Sequence, residues 1–492
     1  MTATELRRTS RSGALGLGGA VVNGAFGFVL TTVILRTFGS AGSGALFSVI
    51  ALVTIAGAVC CLGADTGLMW ALGRRPAERG RLVPVALLPT LTLSVSVCLA
   101  GLLYAAPIGR ALLDGSSTAL IRLAFAGVPV IVVSTILLAA VRATRPVGAY
   151  VAVQLVFVPV VRPVLMIGAV AAGGGVLLGF AGWLLPLAVA AVLALALLAQ
   201  APTSAEPARG GTTSGDWRPF WSFALPRAAS VAIDASSMWV GVLLTGALAT
   251  QAEAGVFAAA GRYALAGLLI MQGLRVAVAP QLSRLLGAGR RAEAARVYRR
   301  TTLAIVLLSW PAYLLLAAFA PAFLAVFGAP FGGGATPLAV LALAMLVNVG
   351  VGLVQTVLLM SGNSRDHLRA TAAGLALNML AAVVLIPGHG ALGAAIAWSL
   401  GIVGENVLAA WYARRALGEP IFSATLGRAM AAVVAATGLV TLLGVLAAGR
   451  GLAGLALALG LLLAALLGSL ADRRVRAALL QLRRNVLTKE PL

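Results

Sequence analysis

The sequence predicts an all-α polytopic membrane protein of about fourteen transmembrane helices, built as two pseudo-symmetric six-helix lobes with two further helices after them. Three observations carry that prediction. Hydrophobic residues make up 61% of the 492 and charged residues only 10%, with a mean hydropathy of +1.02; soluble chains carry roughly 25% charged residues. Apolar stretches of about 20 residues or more, each long enough to cross a hydrocarbon core of roughly 30 Å, recur from the N-terminus to about residue 472. The basic residues, finally, fall at the ends of these stretches on alternate sides of the membrane.

The first span, residues 13–35, follows Arg7, Arg8 and Arg11 as the apolar core of a signal peptide does, but it exceeds the usual 7 to 15 apolar residues and reads as an uncleaved helix. Charges, Pro/Gly turns and tryptophans then delimit spans at 42–72, 82–104, 118–141, 147–170 and 176–199. Residues 200–217, rich in Pro, Gly, Ser and Thr, read as a cytoplasmic linker. Beyond it come spans at 219–247, 253–283, 301–327, 336–361, 371–387, 391–413, 429–448 and 451–472. The domains are therefore an N-terminal lobe (1–199), the linker, a C-terminal lobe (218–413), and two extra helices with a basic cytoplasmic tail (414–492).

With the N-terminus placed in the cytoplasm, 28 of the 36 basic residues fall on cytoplasmic segments and three (Arg36, Arg110, Arg450) outside, which puts both termini inside and calls for an even number of spans. The two lobes echo each other. Gly44-Ala45-Leu46-Phe47 opens span two as Gly255-Val256-Phe257 opens span eight, and Gly175 to Gly179 with Trp183 parallels Gly390 to Gly393 with Trp398, at an offset of about 210 to 215 residues. Six spans before a cytoplasmic linker make this a parallel repeat about an axis along the membrane normal, an arrangement that places substrate between the lobes.

Several chemistries are excluded. The net charge of +22 reports topology rather than nucleic-acid binding, and no nucleic-acid partner is expected. The single lysine, Lys489, has no Gly-rich phosphate loop before it. No nucleophile elbow, no His-Glu-x-x-His and no long outer loop is present, so no enzyme activity and no catalytic residue are expected. Cys60, Cys61 and Cys98 lie in apolar stretches, and with His367 and His389 they form no metal-ligand spacing, so neither a metal nor a cofactor is called for. Energy, where it is used, is expected from an H+ or Na+ gradient, the membrane potential or the substrate gradient.

An ionised side chain at the centre of a span costs roughly 2.5 to 3.5 kcal/mol, which makes each one retained there a functional candidate. Five arginines lie within spans, Arg122, Arg162, Arg227, Arg262 and Arg275, against three acids, Asp65, Asp234 and Glu405. Three acids cannot neutralise five guanidiniums, so an anionic ligand is the expected counter-charge. Arg162, Arg227, Arg262 and Arg275 are the cavity candidates, and Asp234, Asp65 and Glu405 the ion-coupling candidates. The bland alternative is interhelical pairing: Arg227 and Asp234, two helical turns apart, share a face and either pair or face the cavity together, while Arg122 and Arg275, near span ends, can snorkel. Asn23, Gln154, Gln272, Asn348 and Gln355 are either cavity lining or interhelical glue. Trp70, Trp217, Trp221 and Trp411 read as a belt at the membrane boundary.

These residues resemble the multidrug/oligosaccharidyl-lipid/polysaccharide exporter superfamily, and within it the polysaccharide repeat-unit (O-antigen-type) flippases. The resemblance rests on Gly255-Val256-Phe257-Ala258-Ala259-Ala260, Ala279-Pro280-Gln281-Leu282, Gly287-Ala288-Gly289-Arg290-Arg291, Pro311, Phe327-Gly328, Ala335-Thr336-Pro337-Leu338, Ser361-Gly362-Asn363, Asn378 and the run from Pro387 to Ala397. It covers essentially the whole chain, more densely in the second half. What it implies is two six-helix lobes around a central cavity, alternating access, and a polyprenyl-pyrophosphate-linked oligosaccharide flipped across the cell (cytoplasmic) membrane for polysaccharide or cell-surface glycan biosynthesis. Membrane lipid and association with polysaccharide assembly enzymes follow as partners. A cationic cavity suits a pyrophosphate. Two relatives fit less well. Lipid II flippases carry arginines in their first helix, which here has none after Arg11, and ion-coupled multidrug exporters of the superfamily rely on embedded acids, which arginines outnumber here. A glycan polymerase or ligase, the reading from another class, lacks its outer loop.

Overall fold

The computed structural model describes residues 3–75, 78–113, 117–200 and 214–471, and among these the secondary structure is helical throughout, without strands. In chain order the helices are α1 (Ala3–Cys60), α2 (Ala64–Arg74), α3 (Arg79–Leu103), α4 (Ala105–Leu112), α5 (Thr118–Thr144), α6 (Val147–Tyr150), a π-helix (Val151–Phe157), α7 (Val158–Ala171) and α8 (Val176–Ala199). The second half holds α9 (Ser214–Leu248), α10 (Gln251–Ala266), α11 (Leu268–Gly287), α12 (Arg291–Ala318), α13 (Ala320–Ala325), a 3-10 turn (Ala329–Gly334), α14 (Ala335–Gly350), α15 (Val354–Met360), α16 (Ser364–Leu417), α17 (Ala424–Ala448) and α18 (Leu452–Ala471). Of the linker expected over 200–217, residues 201–213 lie outside the described residues and 214–217 already belong to the first turn of α9; the expected basic tail, 472–492, also lies outside the described residues.

Among the described residues ten helices are long and apolar enough to cross a membrane, and the number rises to eleven when α10 and α11, bent by 41° about Gly267, count as one span. Two of the ten are double. The 43-residue, largely apolar stretch Gly18–Cys60 of α1 would run for about 65 Å as a straight helix, twice the hydrocarbon thickness. They turn back at Gly39 (φ 63°), and Ser43 Oγ donates to Ile34 O at 3.0 Å across the bend. In the same way α16 reverses at Gly390 (φ 50°), where a Cβ on Gly393 would lie 2.4 Å from Leu385 O. Positive φ is accessible to glycine because it has no Cβ to clash with the following carbonyl. Counting both hairpins and the shorter apolar α18 gives the fourteen spans expected from the sequence.

Side-chain caps set several helix starts: Ser117, Thr250 and Ser423 accept from the backbone N–H three residues on, satisfying a donor that has no partner within the helix. In the N-terminal half α5 is central, packed on α1, α2, α3 and α8, while α7 lies against α1 and α8. In the C-terminal half α14 and α16 pack on each other and on α12 and α9, and α17 attaches to α12 with α18 beyond it.

The halves meet along α1, α9 and α10. Their contact is symmetric in the sense that the repeat predicts. A Cβ on Gly44 would lie 1.7 Å from Gln251 O, and one on Gly255 would lie 2.1 Å from Ser40 O. Ser40 and Gln251 stand at the same sequence offset as Gly44 and Gly255, so the two repeats touch backbone to backbone at equivalent positions. Arg36 Nε donating to Val326 O at 2.8 Å and Ser48 Oγ donating to Gln251 Oε1 at 3.3 Å tie the same end. Toward the arginine-rich face α11 turns away to pack on α12 and α15. There α2 is the element that holds the halves together: Trp70 stacks on Phe223 of α9 with centroids 4.6 Å apart, and Gly63 and Gly67 lie against Ala224. Trp70 is therefore an interface residue rather than part of a boundary belt.

Candidate functional site

Between the halves lies a cavity of about 300 Å³ whose wall comes from α1, α7, α8, α9, α10 and α11. Its polar groups are Asn23, Arg162, Trp183, Trp239 and Arg262, the rest of the wall being apolar or glycine, and no carboxylate lines it among the described residues. A smaller extension of about 40 Å³ continues past Arg262 and is lined by Thr31, Phe47, Met238, Phe257 and Trp398. The repeat-related Phe47 and Phe257 thus flank one space, whereas Trp183 lines the larger chamber and Trp398 the smaller.

Arg162 is placed by backbone irregularity. Pro159 and Pro163 bring no N–H to the ladder of α7, and the helix enters this stretch through the π-helix 151–157, a widened turn that frees carbonyls and re-aims side chains. The guanidinium donates from Nε to Trp183 O at 3.1 Å and lies over the Trp183 ring, 4.2 Å from its centroid. Such stacking is worth about 0.5 to 2 kcal/mol and holds the plane in one orientation. Arg262 comes from the other half. Its Nε donates to Thr31 Oγ1 at 2.6 Å and its Nη2 to Gly27 O at 3.3 Å, and Thr31 Oγ1 itself donates to Gly27 O at 2.9 Å. Both guanidiniums are bonded only to neutral oxygens among the described residues, so their charges have no protein counter-ion.

Arg227 and Arg275 do not reach this cavity wall. Both are exposed, and with Asp234 and His367 they form a second charged group within Coulombic reach of one another on α9, α11 and the start of α16. Asp234 makes no ion pair with Arg227 within 4 Å among the described residues, so the pairing allowed by their spacing is not formed. Glu405 on α16 accepts from Gln355 Nε2 at 2.6 Å and from Thr371 Oγ1 at 3.2 Å. Asp65 begins α2 directly after the break at Cys61, Leu62 (φ 49°) and Gly63 (φ 69°). It lines a separate pocket of about 130 Å³ in the N-terminal half with Ser134, Thr135, Arg142, Tyr150 and Gln154, where Asp65 Oδ1 and Gln154 Oε1 are buried without a hydrogen-bond partner among the described residues.

Of the amides singled out by sequence, Asn23 lines the central cavity, Gln154 the Asp65 pocket, and Asn348 is interhelical glue accepting from Asn406 Nδ2 at 3.1 Å. Thr31 and Trp239 were not anticipated, because a threonine and a tryptophan within apolar runs carry no signal of their own. Among the described residues no group of three His, Cys, Asp or Glu side chains is placed to hold a metal ion.

No protein-family model and no curated protein matches the sequence. Solved structures do. An inward-facing multidrug resistance MATE family transporter of the MOP superfamily aligns over 83% of this chain and 99% of its own, with a TM-score of 0.65 and 16% identity. The lipid II flippase MurJ in an inward closed conformation aligns over 92% and 97%, with a TM-score of 0.70 and 12% identity. A MOP superfamily transporter from Pyrococcus furiosus, described as having a binding pocket of reverse polarity, aligns over 84% and 95%, with a TM-score of 0.60 and 16% identity. The chain therefore shares the many-helix fold of these structures. These neighbours are transporters and flippases rather than enzymes.

Proposed function

We propose that this chain flips a polyprenyl-pyrophosphate-linked oligosaccharide across the cytoplasmic membrane by alternating access, for polysaccharide or cell-surface glycan biosynthesis. One observation carries the reading: two guanidiniums, one from each half, face a shared cavity with no carboxylate in its wall. Uncompensated arginines at bilayer depth are costly, and a diphosphate, whose oxygens match the guanidinium fork, removes that cost when it binds. The cavity suits the diphosphate and the sugar nearest it, with the polyprenyl chain left in lipid. Trp239 offers a face for sugar packing.

Arg262 also suggests how binding connects to opening. Its two bonds to Thr31 and Gly27 tie α10 to α1, and an anion competing for the guanidinium weakens a tether between the halves. In this reading the one-sided arginines put both termini in the cytoplasm, and Asp65, Asp234 and Glu405 are the sites at which an H+ or Na+ gradient is coupled. Glycosyltransferases that build the lipid-linked substrate and polymerases that consume it are the partners such a reaction requires.

The test is transport by purified protein in liposomes, following arrival of a lipid-linked oligosaccharide in the far leaflet. Replacing Arg162 or Arg262 with Ala removes a charge-assisted contact of about 1.5 to 3 kcal/mol, so transport is expected to fall by roughly 10- to 100-fold. Unchanged transport in both variants at equal incorporation rejects the reading. Drug efflux that survives in both and fails in Asp234→Asn favours the multidrug alternative, and activity confined to lipid II the other.

A further inference from the structure

We propose that the C-terminal half carries, on the arginine-rich face, a phosphate-anion site filled by the headgroup of an anionic phospholipid in the adjoining leaflet. The site is a pocket of about 350 Å³ between the α11–α12 turn, the α15–α16 turn and the end of α16. It is separate from the central cavity, with which it shares no wall residue, and it stands whether or not the transport reading holds.

Arg291, Arg415, Tyr412, Asn363 and Asp366 supply its polar wall. Among the described residues neither the Arg291 nor the Arg415 guanidinium has an ion-pair or hydrogen-bond partner, and the Tyr412 hydroxyl has none. The acid in the wall, Asp366, already carries Arg369, whose Nη1 lies 3.0 Å from its Oδ1, so two guanidinium charges face the pocket uncompensated. Asn363 spends one amide hydrogen on Ser361 Oγ at 3.2 Å and keeps the other. It makes no side-chain cap at the start of α16, leaving first-turn N–H groups of that helix beside the pocket as additional donors.

Arg415 is held in place. Its guanidinium carbon lies 3.6 Å from the centroid of the Trp411 ring, and Trp411 is 45% exposed, the position of an indole at the headgroup level of a bilayer. A cation fixed beside a boundary tryptophan meets phosphate rather than bulk solvent. Planar guanidiniums with free N–H forks recognise phosphate oxygens in pairs, and the surrounding Arg284, Arg290, Arg296, Arg299, Arg300 and Arg414 add a field that concentrates anionic lipid. Free phosphate shares this chemistry but lacks the acyl chains that keep a headgroup at the boundary.

The experiment uses the full-length protein in neutral detergent with three probes: dioctanoyl phosphatidylglycerol, dioctanoyl phosphatidylcholine and inorganic phosphate. Binding is read as the ligand-dependent rise in melting temperature. Phosphatidylglycerol is expected to stabilise saturably and phosphatidylcholine not to. R291A/R415A should raise the apparent dissociation constant for phosphatidylglycerol about 100-fold, roughly tenfold per guanidinium. The charge-matched R296A/R300A, which removes two arginines from the same face outside the pocket, should change it less than about threefold. Because all four side chains are exposed, the variants should keep the melting temperature of the unliganded protein. Equal weakening in the two double variants reduces the effect to bulk charge and overturns the site, as does unaltered binding in R291A/R415A. Stabilisation by phosphate with phosphatidylglycerol inert overturns the headgroup assignment.

Discussion

At the residue scale the informative contrast is between arginines that meet neutral oxygens and acids that meet donors. Arg262 uses two sides of its guanidinium on Thr31 and Gly27, a geometry that a lysine ammonium cannot reproduce. Arg262→Lys is therefore expected to retain the charge yet lose roughly tenfold or more in transport, measured in the same liposome assay as Arg262→Ala. Glu405 presents the opposite case, an acid accepting from Gln355 and Thr371. Glu405→Gln keeps an acceptor for both and should leave stability within about 1 kcal/mol while abolishing any dependence of transport on the coupling ion. Glu405→Ala strands the Gln355 amide and should cost about 1 to 3 kcal/mol, read from denaturant or thermal unfolding. Arg162 and Arg262 could be picked from the sequence because charge inside an apolar run is conspicuous. That Arg227 and Arg275 stand apart from the cavity was not legible: helical spacing says which residues share a face, not which neighbour that face meets.

At the element scale, glycines decide where spans bend and where the halves touch. The turn-backs at Gly39 and Gly390 and the bend at Gly267 sit close to boundaries or glycines visible in the sequence. The break at Cys61 to Gly63 divides the stretch 42–72, expected as one continuous span, and had no signal because Cys-Cys-Leu-Gly is as apolar as its flanks. The symmetric approach of Gly44 and Gly255 leaves no room for a Cβ, so Gly44→Val must push the halves apart at the end away from the arginine-rich face. The expectation is loss of transport at normal expression together with new access. In a background with Cys60, Cys61 and Cys98 replaced by serine, a cysteine at Phe47, which lines the space beside this seal, should be modified by a membrane-impermeant thiol reagent from that side in Gly44→Val and stay protected without it. Protection in both would mean that the seal does not depend on this contact.

At the scale of the whole molecule, the arginine asymmetry argues that both ends of the chain share one compartment. A fluorescent protein fused to the C-terminus should fluoresce in cells, and an alkaline phosphatase fused there should be inactive; the reverse pair of results would invert the topology. Hydropathy, span count and a repeat offset of about 210 to 215 residues were legible in the sequence itself, and an even topology is what it leads one to expect, because a bilayer imposes length and polarity limits that act locally along the chain. Tertiary structure alone decided which charges share a chamber, that Arg262 bonds to the first span some 231 residues away, and that two free guanidiniums gather in a pocket at the face of the second half. The physical reason is the same in each case: packing two halves of chain around an axis brings together groups whose separation in sequence carries no information about their separation in space.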